Sequence, residues 1–427
     1  MTPTEATRTR PEREELGQQI QRLLGAGRVR EPIAPEAAAC EVVVEPESID
    51  EIRELVRKCE TDRLTVAPLG SARTLSEIRT SRVAFGVSLA RMRRVIAYEP
   101  GDMTIVAEAG VTLGELNRLC FEHRQRLPVD PREPDRTTVG AMVGASHAGP
   151  TRLSEGTVRD LLIGVGFIGH GGRLARGGGR VVKNVAGYDL MKVMTGSFGT
   201  LGIVVEAAFK VRPIPENYSL AVRRFRRDTE AFEAAATLNE ALAMVHLEVL
   251  SPGPSAALGY DYDWVVMAGF AGNRAELDYQ RAKIVEVLGS EADMLEGACA
   301  ESSFASLRDM DFPADGLVAQ IAVKPAELAR CARECSGEYR AHAGSGVAQV
   351  WFEEIGEGTA EQTVTRWREM ARRAGGSLRV LRAPETMRAE IEFFDRPSDG
   401  AFSLMKRLKQ TFDPANIFNP GCFVGGL

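Results

Sequence analysis

Long apolar runs are absent from this sequence. No stretch of about 18 apolar residues occurs, which is the length that a helix needs to cross a bilayer. Residues 1–30 mix arginine, glutamate and glutamine, and they contain no apolar segment typical of a secretory signal peptide. We therefore expect a cytoplasmic protein with no direct membrane span, which associates with a membrane only through partner proteins.

Cysteine and histidine are sparse and scattered. The seven cysteines are an odd number at irregular spacing, which argues against a disulfide framework and for a reducing compartment. Cys331 and Cys335 are close, but a single pair with three residues between is a poor match to a zinc or iron–sulfur site. The five histidines are His123, His147, His170, His246 and His342. The sequence thus predicts no metal site and no histidine-rich catalytic cluster.

Blocks of positive charge are also lacking. The net charge is −6, and lysine and arginine are interspersed with aspartate and glutamate, so nucleic acid is not expected as a partner. The composition, with 44% hydrophobic and 26% charged residues, is that of an ordinary globular protein. At 427 residues the chain exceeds the size at which a single core keeps growing, so two domains are expected.

Glycine is concentrated in residues 177–202, which contain seven glycines and lead into the apolar run 203–209. Glycine lets the backbone come close to a flat or anionic ligand, and the apolar run reads as a buried strand. This combination suits a large cofactor better than a metal ion. A glycine-rich surface loop is the alternative interpretation.

Other segments predict the elements around this region. Residues 64–67 read as a strand that enters the loop 68–74, a shape typical of a phosphate-binding turn. Residues 158–168 read as a strand, and helices alternate with strands after residue 216. The chain ends in a predicted helix, 402–412, and a proline-fixed extended tail that lies on a surface.

Four motifs occur in an order that resembles the vanillyl-alcohol oxidase / p-cresol methylhydroxylase (PCMH)-type flavoproteins. They are Pro68-x-Gly70, the segment 101–110, Thr138-Val-Gly140 and the segment 196–202. More narrowly, Gly178-Gly-x-Val-Val-Lys-Asn-Val-Ala-Gly-Tyr-Asp189 and the segments 381–385 and 412–421 resemble the FAD-binding subunits of bacterial glycolate oxidases. The resemblance extends from about residue 36 to the C-terminus.

The resemblance implies an α+β fold with a two-subdomain PCMH-type FAD-binding domain and a smaller α+β cap domain like the C-terminal domain of FAD-linked oxidases. The FAD-binding domain is expected at residues 36–215 and the cap domain at residues 216–400. Residues 1–35 would form an N-terminal tail and helix. Residues 401–427 would form a helix and a tail that packs back on the FAD-binding domain.

The resemblance also implies non-covalent FAD and the residues that bind it. The pyrophosphate would lie on the turn of Pro68, Gly70, Ser71 and Ala72. There Ala72 replaces a family glycine and disfavours positive φ by roughly 1–2 kcal/mol, while Arg73 either pairs with a phosphate or is a solvated charge. The flavin and its ribityl chain would be lined by Thr138, Val139, Gly140, Ser146 and Gly149. The adenine or isoalloxazine side would be faced by Gly202, Ile203 and Val205.

A further segment bears on function. Residues 341–349 resemble the His-x-Gly-Asp-Gly-Asn-x-His segment with which related hydroxy-acid dehydrogenases hold a metal, but only His342, Gly344 and Gly346 remain. One histidine cannot bind a divalent ion alone. The resemblance therefore implies an FAD-binding subunit of a glycolate-oxidase-like complex, which works beside a catalytic FAD subunit and an iron–sulfur subunit. The alternatives are a stand-alone FAD-dependent oxidoreductase and a flavin-free structural subunit. No catalytic residue is predicted.

Overall fold

The computed structural model describes residues 8–71, 82–180, 187–261, 263–356 and 358–427. Its helices are α1 (Arg10–Leu24), α2 (Ile49–Asp62), α3 (Leu113–Phe121), α4 (Val139–Ala145), α5 (Arg152–Glu155), α6 (Val158–Leu161), α7 (Leu190–Met194), α8 (Asp228–Ala241), α9 (Pro252–Ala257), α10 (Arg274–Leu288), α11 (Gly297–Asp309), α12 (Pro325–Glu334), α13 (Ala360–Arg373) and α14 (Asp399–Phe412). Its strands are β1 (Val29–Arg30), β2 (Cys40–Val44), β3 (Val66–Leu69), β4 (Val83–Ser88), β5 (Val95–Glu99), β6 (Thr104–Glu108), β7 (Gln125–Arg126), β8 (Leu162–Gly169), β9 (Arg173–Gly178), β10 (Ile203–Lys210), β11 (Arg212–Pro213), β12 (Asn217–Phe225), β13 (His246–Leu250), β14 (Trp264–Gly272), β15 (Asp293–Glu296), β16 (Leu317–Ala322), β17 (Glu338–His342), β18 (Val347–Phe352) and β19 (Ser377–Arg382).

The first sheet has the order β1-β2-β4-β3, and β4 runs parallel to both β2 and β3. Strand β2 is buried along its whole length, including the charged Glu41, as expected for a strand covered on both faces. The connection between β2 and β3 is helix α2, which begins where the Ser48 hydroxyl accepts the N–H of Glu51 at 3.2 Å. Glu51 itself accepts hydrogen bonds from Arg28 and from the N–H of Glu47, so it does not return a hydrogen bond to the backbone of Ser48.

The second sheet is antiparallel, with the order β5-β6-β10-β8-β9. Its central strand β10 is the apolar run that the sequence predicts as a buried strand, and a single hydrophobic cluster extends from it into the first sheet. The beginning of the strand predicted at 158–168 is wrong. Residues Val158–Leu161 form helix α6, because Thr157 and Asp160 make a capping box, and the strand starts only at Leu162.

The third large sheet is antiparallel and has eight strands in the order β15-β12-β14-β13-β17-β18-β16-β19. Helices α8, α10, α12 and α13 pack on it around the fully buried Trp367. The fold therefore combines helices and sheets, as the sequence predicts. The part with the first two sheets comes first in the chain, and an α+β part built on the eight-stranded sheet follows it. The exact domain boundaries at residues 35, 215 and 400 stay predictions.

The C-terminal segment returns to the first sheet. Phe418 forms a parallel bridge with Val66, and the N–H of Val66 donates to Ile417 O at 2.8 Å. Ile417, Phe418 and Asn419 are 1%, 0% and 0% exposed, so the tail is part of the core. The expectation of an extended tail lying on a surface is wrong at these residues. In the part of the chain that the structure describes, no helix is long and apolar enough to span a membrane.

Candidate functional site

A cavity of about 290 Å³ lies between the turn after β3 and helix α4. Its wall combines that turn (residues 68–71) with the segment 109–112, helix α4 and the turn 197–204. Most of the residues that line the cavity are glycine, alanine or serine. The cavity is therefore bounded largely by backbone, as the glycine pattern of the sequence indicates.

Glycine is required at three positions in this wall. A Cβ on Gly70 would lie 2.7 Å from Ala141 Cβ, and a Cβ on Gly199 would lie 2.3 Å from Pro68 Cγ. A Cβ on Gly110 would lie 1.9 Å from the carbonyl oxygen of Leu89. These distances show that the turns are packed against each other so closely that no larger residue fits. Within the described part of the chain, the N–H groups of Gly70 and Ser71 have no backbone acceptor.

Helix α4 forms the floor of the cavity. It begins where the Thr138 hydroxyl accepts the N–H of Ala141 at 3.2 Å, and it ends at Ser146, whose φ is 53°. The N–H groups of Val139 and Gly140 donate to Val111 O and Ala109 O at 2.8 and 2.9 Å. These two amides are consumed by the protein, so this end of α4 contributes shape to the cavity and not hydrogen bonds to a ligand.

A second cavity, of about 400 Å³, adjoins the first and shares Ser71, Ala145, His147 and Phe198 with it. It is bounded by the loop 130–133, by the segment 145–152 and by side chains of strands β16, β18 and β19. Its most unusual feature is its charge. Its lining includes Arg132, Arg152, Arg308, Arg340, Arg379 and Arg382, against the acidic residues Asp130 and Glu133.

The predicted site residues divide between these cavities. Pro68, Gly70, Thr138, Gly140 and Gly202 line the first. Ser146 and Gly149 line the second, and Ser71 lines both. Ala72 and Arg73 lie outside the described residues, as do residues 181–186 of the glycine-rich segment.

Three predicted residues do not face a cavity. The side chains of Val139, Ile203 and Val205 are 0% exposed and belong to the core beneath the first cavity. The expectation that Val139 lines the flavin and its ribityl chain, and that Ile203 and Val205 face the adenine or isoalloxazine side, stays a prediction. Residues in β10 alternate between its two faces, so the side chains of Ile203 and Val205 point away from the cavity that Val204 lines. Val204, between two of them, is the β10 residue that lines the cavity.

Sequence reasoning missed the arginines and assigned no role to His147. Burial lowers the pKa of His147 to about 4, and the nearby Arg379 acts in the same direction, so this imidazole is neutral at ordinary pH. Arg379 lies over the ring of Phe198, with its guanidinium carbon 4.5 Å from the ring centroid. These residues are far apart in sequence and have no shared motif, so only the packing of β19 against the turn 197–199 brings them together.

The segment 341–349, which resembles a metal-binding segment of related dehydrogenases, begins at the end of β17. His342 Nδ1 is 2.7 Å from Glu248 Oε1, and both residues are buried. Gln349 accepts two hydrogen bonds from Arg340, at 2.8 and 2.6 Å. Among the described residues no group of three or more histidine, cysteine, aspartate or glutamate side chains is placed to hold a metal ion. The donors needed for a metal are therefore missing or already paired, and the site does not fit one.

The two cavities do fit an extended nucleotide cofactor. They share four lining residues, and one end is polar and cationic. The other end has a wall of close-packed glycine turns, in which the N–H groups of Gly70 and Ser71 have no backbone acceptor among the described residues. A pyrophosphate needs converging N–H donors and close backbone approach, both of which the turn at residues 70–71 offers. The shared residues would place the ring end of such a molecule between the β3 turn and the eight-stranded sheet.

Comparison with known proteins agrees with this arrangement. Residues 40–178 match the family model of the FAD binding domain, and residues 387–422 match that of the FAD linked oxidases, C-terminal domain. The chain is 30% identical over 335 residues to glycolate oxidase subunit GlcE of Escherichia coli, covering 77% of this chain and 84% of that protein. It is 25% identical to glycolate oxidase subunit GlcD of Bacillus subtilis, covering 89% of this chain and 88% of that protein.

Solved structures show the same fold. The structure of p-cresol methylhydroxylase with substrate bound superposes with a TM-score of 0.73 at 15% identity, covering 97% of both chains. That identity supports the fold alone. The matched family models and the similarity to GlcE show that FAD is the cofactor of this protein and that the protein is an FAD-dependent oxidoreductase. The chain belongs to the family of FAD-linked oxidases with a PCMH-type FAD-binding fold that includes the glycolate oxidase subunit GlcE.

Proposed function

We propose that this chain is the FAD-binding subunit of a complex that oxidises a 2-hydroxy acid, and that it supports electron transfer beside a catalytic flavoprotein and an iron–sulfur subunit. The similarity to subunits named for glycolate oxidase supports the substrate class and the assembly. D-lactate dehydrogenases among the relatives point to the same class of acid, since the mitochondrial enzyme of Arabidopsis thaliana is 30% identical over 213 residues.

The observation that carries the proposal is the pair of adjoining cavities, which share four lining residues. In the proposed complex the N–H groups of Gly70 and Ser71 bind the pyrophosphate, and Thr138, Gly140 and Gly202 define the space for the adenosine and ribityl parts. Ser146 and Gly149 line the region of the flavin ring. Bound FAD supplies the capacity to accept two electrons from an organic substrate.

We propose that FAD is bound without a covalent link. No cysteine is present among the described residues that line either cavity. His147 does line both, but its ring lies among buried groups and its role in the proposal is to exclude water from the junction of the two cavities. Acid precipitation tests this point, because non-covalent FAD stays in the supernatant and covalent flavin precipitates with the protein.

The altered segment 341–349 supports a role beside a catalytic partner. His342 is held by Glu248 and Gln349 by Arg340, so the residues that would bind a metal in the related segment do not do so here. A subunit that has lost this segment can still hold a flavin and pass electrons. We therefore assign the main oxidation step to the catalytic partner.

The visible spectrum of the purified chain, alone and after co-expression with the neighbouring subunits, tests the proposal. We expect flavin absorbance in the chain alone and co-purification of both partners. A chain that contains no flavin and takes up none on reconstitution would refute the cofactor part. A chain that binds flavin but recovers neither partner would refute the assembly part and favour a stand-alone oxidoreductase.

A further inference from the structure

Arg152 and Arg379 differ from the other arginines that line the second cavity. Within the described part of the chain, Arg152 and Arg379 form neither a side-chain hydrogen bond nor an ion pair. Arg379 is held only by the rings of Phe198 and Phe394, 4.5 and 5.3 Å from its guanidinium carbon, and its Nε is buried without an acceptor. A buried guanidinium without an acceptor is costly, so its position calls for an anion.

Both groups remain charged in spite of this environment. Burial lowers the pKa of Arg379 to about 10, which leaves it protonated at neutral pH. Burial also lowers the pKa of Arg152, while Asp130 and Glu248 act in the opposite direction. Asp130 does not neutralise Arg152 directly, because its two carboxylate oxygens accept the N–H groups of Gly149 and Thr151 at 3.1 and 2.8 Å.

The other arginines of this cavity are already occupied. Arg132 pairs with Asp311 at 2.8 Å and Arg308 pairs with Asp309 at 2.5 Å. Arg382 donates to two backbone carbonyl oxygens of the loop that contains Phe312. These arginines have partners within the protein and form walls of the cavity, whereas Arg152 and Arg379 keep donors available for a ligand.

A guanidinium also lies where the related segment would place a metal ligand. Arg340 is 3% exposed, and it donates to Gln349, which replaces the second imidazole of that segment. Its remaining bond goes to Leu307 O at 2.6 Å. A fixed positive charge therefore stands at this end of the cavity without any metal, and it would repel a divalent cation.

We propose that the second cavity binds the carboxylate of a small organic acid directly on Arg152 and Arg379, without a metal ion. Guanidinium groups match a carboxylate because their N–H donors form two parallel hydrogen bonds with its oxygens. The proposed pyrophosphate site and the acid site are distinct, because Gly70 lines only the first cavity and both arginines line only the second, with Ser71 at the junction between them. The proposal deepens the proposed function, since it gives this subunit its own acid-binding site next to the flavin.

Calorimetric titration of the flavin-loaded chain with oxalate and with glycolate tests the proposal, with neutral glycolamide as the uncharged control. The variants are Arg152→Gln and Arg379→Gln. The matched control is Arg226→Gln, an exposed arginine that pairs with Asp263 at 3.3 Å and does not line the second cavity. We expect oxalate to bind the parent and the control equally. Each cavity variant should lose affinity by about tenfold or more, which is about 1.4 kcal/mol.

Two further measurements separate the possible outcomes. Arg379→Lys keeps the positive charge but loses the planar guanidinium group, so this variant should retain part of the affinity for oxalate. The Lys variant also replaces Arg379→Gln in the test if Arg379→Gln does not fold. Equal titrations in the presence of EDTA are expected, because no metal takes part. Unchanged affinity in both Gln variants, loss of binding in EDTA, or oxalate binding that disappears when the same protein is loaded with flavin would each overturn the proposal.

Flavin absorbance recorded on the same samples keeps this proposal distinct from the proposed function. Oxalate binding by a chain that retains no flavin at all in any preparation, and with the same dependence on Arg152, would refute the cofactor role and support the acid site. Flavin retention without oxalate binding would refute the acid site alone.

Discussion

Lys409 Nζ donates a hydrogen bond of 2.8 Å to the backbone carbonyl oxygen of Thr200. The same ammonium group binds Phe418 O at 2.9 Å and Asp413 Oδ2 at 2.6 Å, and its side chain is almost fully buried. Thr200 belongs to the turn that closes the first cavity. The last helix therefore fixes a turn of the first cavity that lies more than two hundred residues earlier in the chain.

Replacing Lys409 with methionine should loosen this turn. The change leaves Asp413 buried and without its cation, and breaking such a pair costs about 3–5 kcal/mol. We expect a lower free energy of unfolding in urea and, because the turn 197–202 loses its anchor, a higher dissociation constant for FAD. Fluorescence quenching of added FAD measures the second effect.

Arg407→Met is the matched control for this prediction, since it removes a charge from an exposed position on the same helix. It should leave both quantities within about 0.5 kcal/mol of the parent. If Lys409→Met lowered stability but left FAD affinity unchanged, the tail would be a stabilising element only and would not position the cofactor turn.

Gly70→Ala should weaken FAD binding more than it weakens folding. The added Cβ would lie 2.7 Å from Ala141 Cβ and 3.2 Å from Thr138 Oγ1, so the turn has to move away from α4. Overpacking of this kind costs about 1–3 kcal/mol, and the displaced turn carries the N–H groups proposed for the pyrophosphate. We expect partial or complete loss of flavin absorbance in the purified protein.

Gly101→Ala serves as its control, because a Cβ at that position has no atom within 4 Å. Its flavin content should equal that of the parent. Full flavin occupancy in Gly70→Ala would contradict the assignment of the pyrophosphate to this turn.

The buried His246 makes stability depend on pH. Burial lowers its pKa to about 4 from an ordinary value of 6.5, and its Nε2 is 2.9 Å from the Tyr218 hydroxyl. Since the unfolded chain takes up a proton near pH 6.5 and the folded chain does not, the contribution is fully present above that pH and is lost as the pH falls toward 4. Acidification therefore favours unfolding in this window.

His246→Gln should remove this part of the pH dependence. Between about pH 7 and pH 5, the free energy of unfolding of the variant should fall by about 2 kcal/mol less than that of the parent. Asp130 acts in the opposite direction, because burial raises its pKa to about 6, but it is present in both proteins and cancels in the comparison. Parallel pH profiles would show that His246 is not held neutral in the folded state.

The sequence predicts part of the first cavity through its resemblance to known flavoproteins. That resemblance implies Gly70, Thr138 and Gly202 as site residues, and all three line the cavity. Local signals also predict elements of the fold, since Ser48 and Thr112 mark the starts of α2 and α3. Such features depend on a few neighbouring residues, so they can be read without knowledge of the fold.

The second cavity could not be predicted in this way. Arg152 and Arg379 have no motif in common, and each could equally be a surface charge. The two arginines come to line one cavity only because β19 packs against the turn that contains Phe198. The side-chain direction of Val204, between the buried Ile203 and Val205, likewise depends on which face of β10 the first cavity covers.

Divalent metal should neither stabilise this protein nor be required by it. His342 Nδ1 is 2.7 Å from Glu248, and Gln349 is held by Arg340, so imidazole and amide ligands do not converge on an open position. Adding zinc should leave the thermal midpoint unchanged, and EDTA should leave the flavin content unchanged. The Gln349→His variant should also fail to respond to zinc, because the guanidinium of Arg340 repels a cation at that position. Metal analysis that found one equivalent of zinc in the parent, or a zinc-dependent rise of the midpoint in Gln349→His, would show that Arg340 moves away and that the cavity accepts a metal after all.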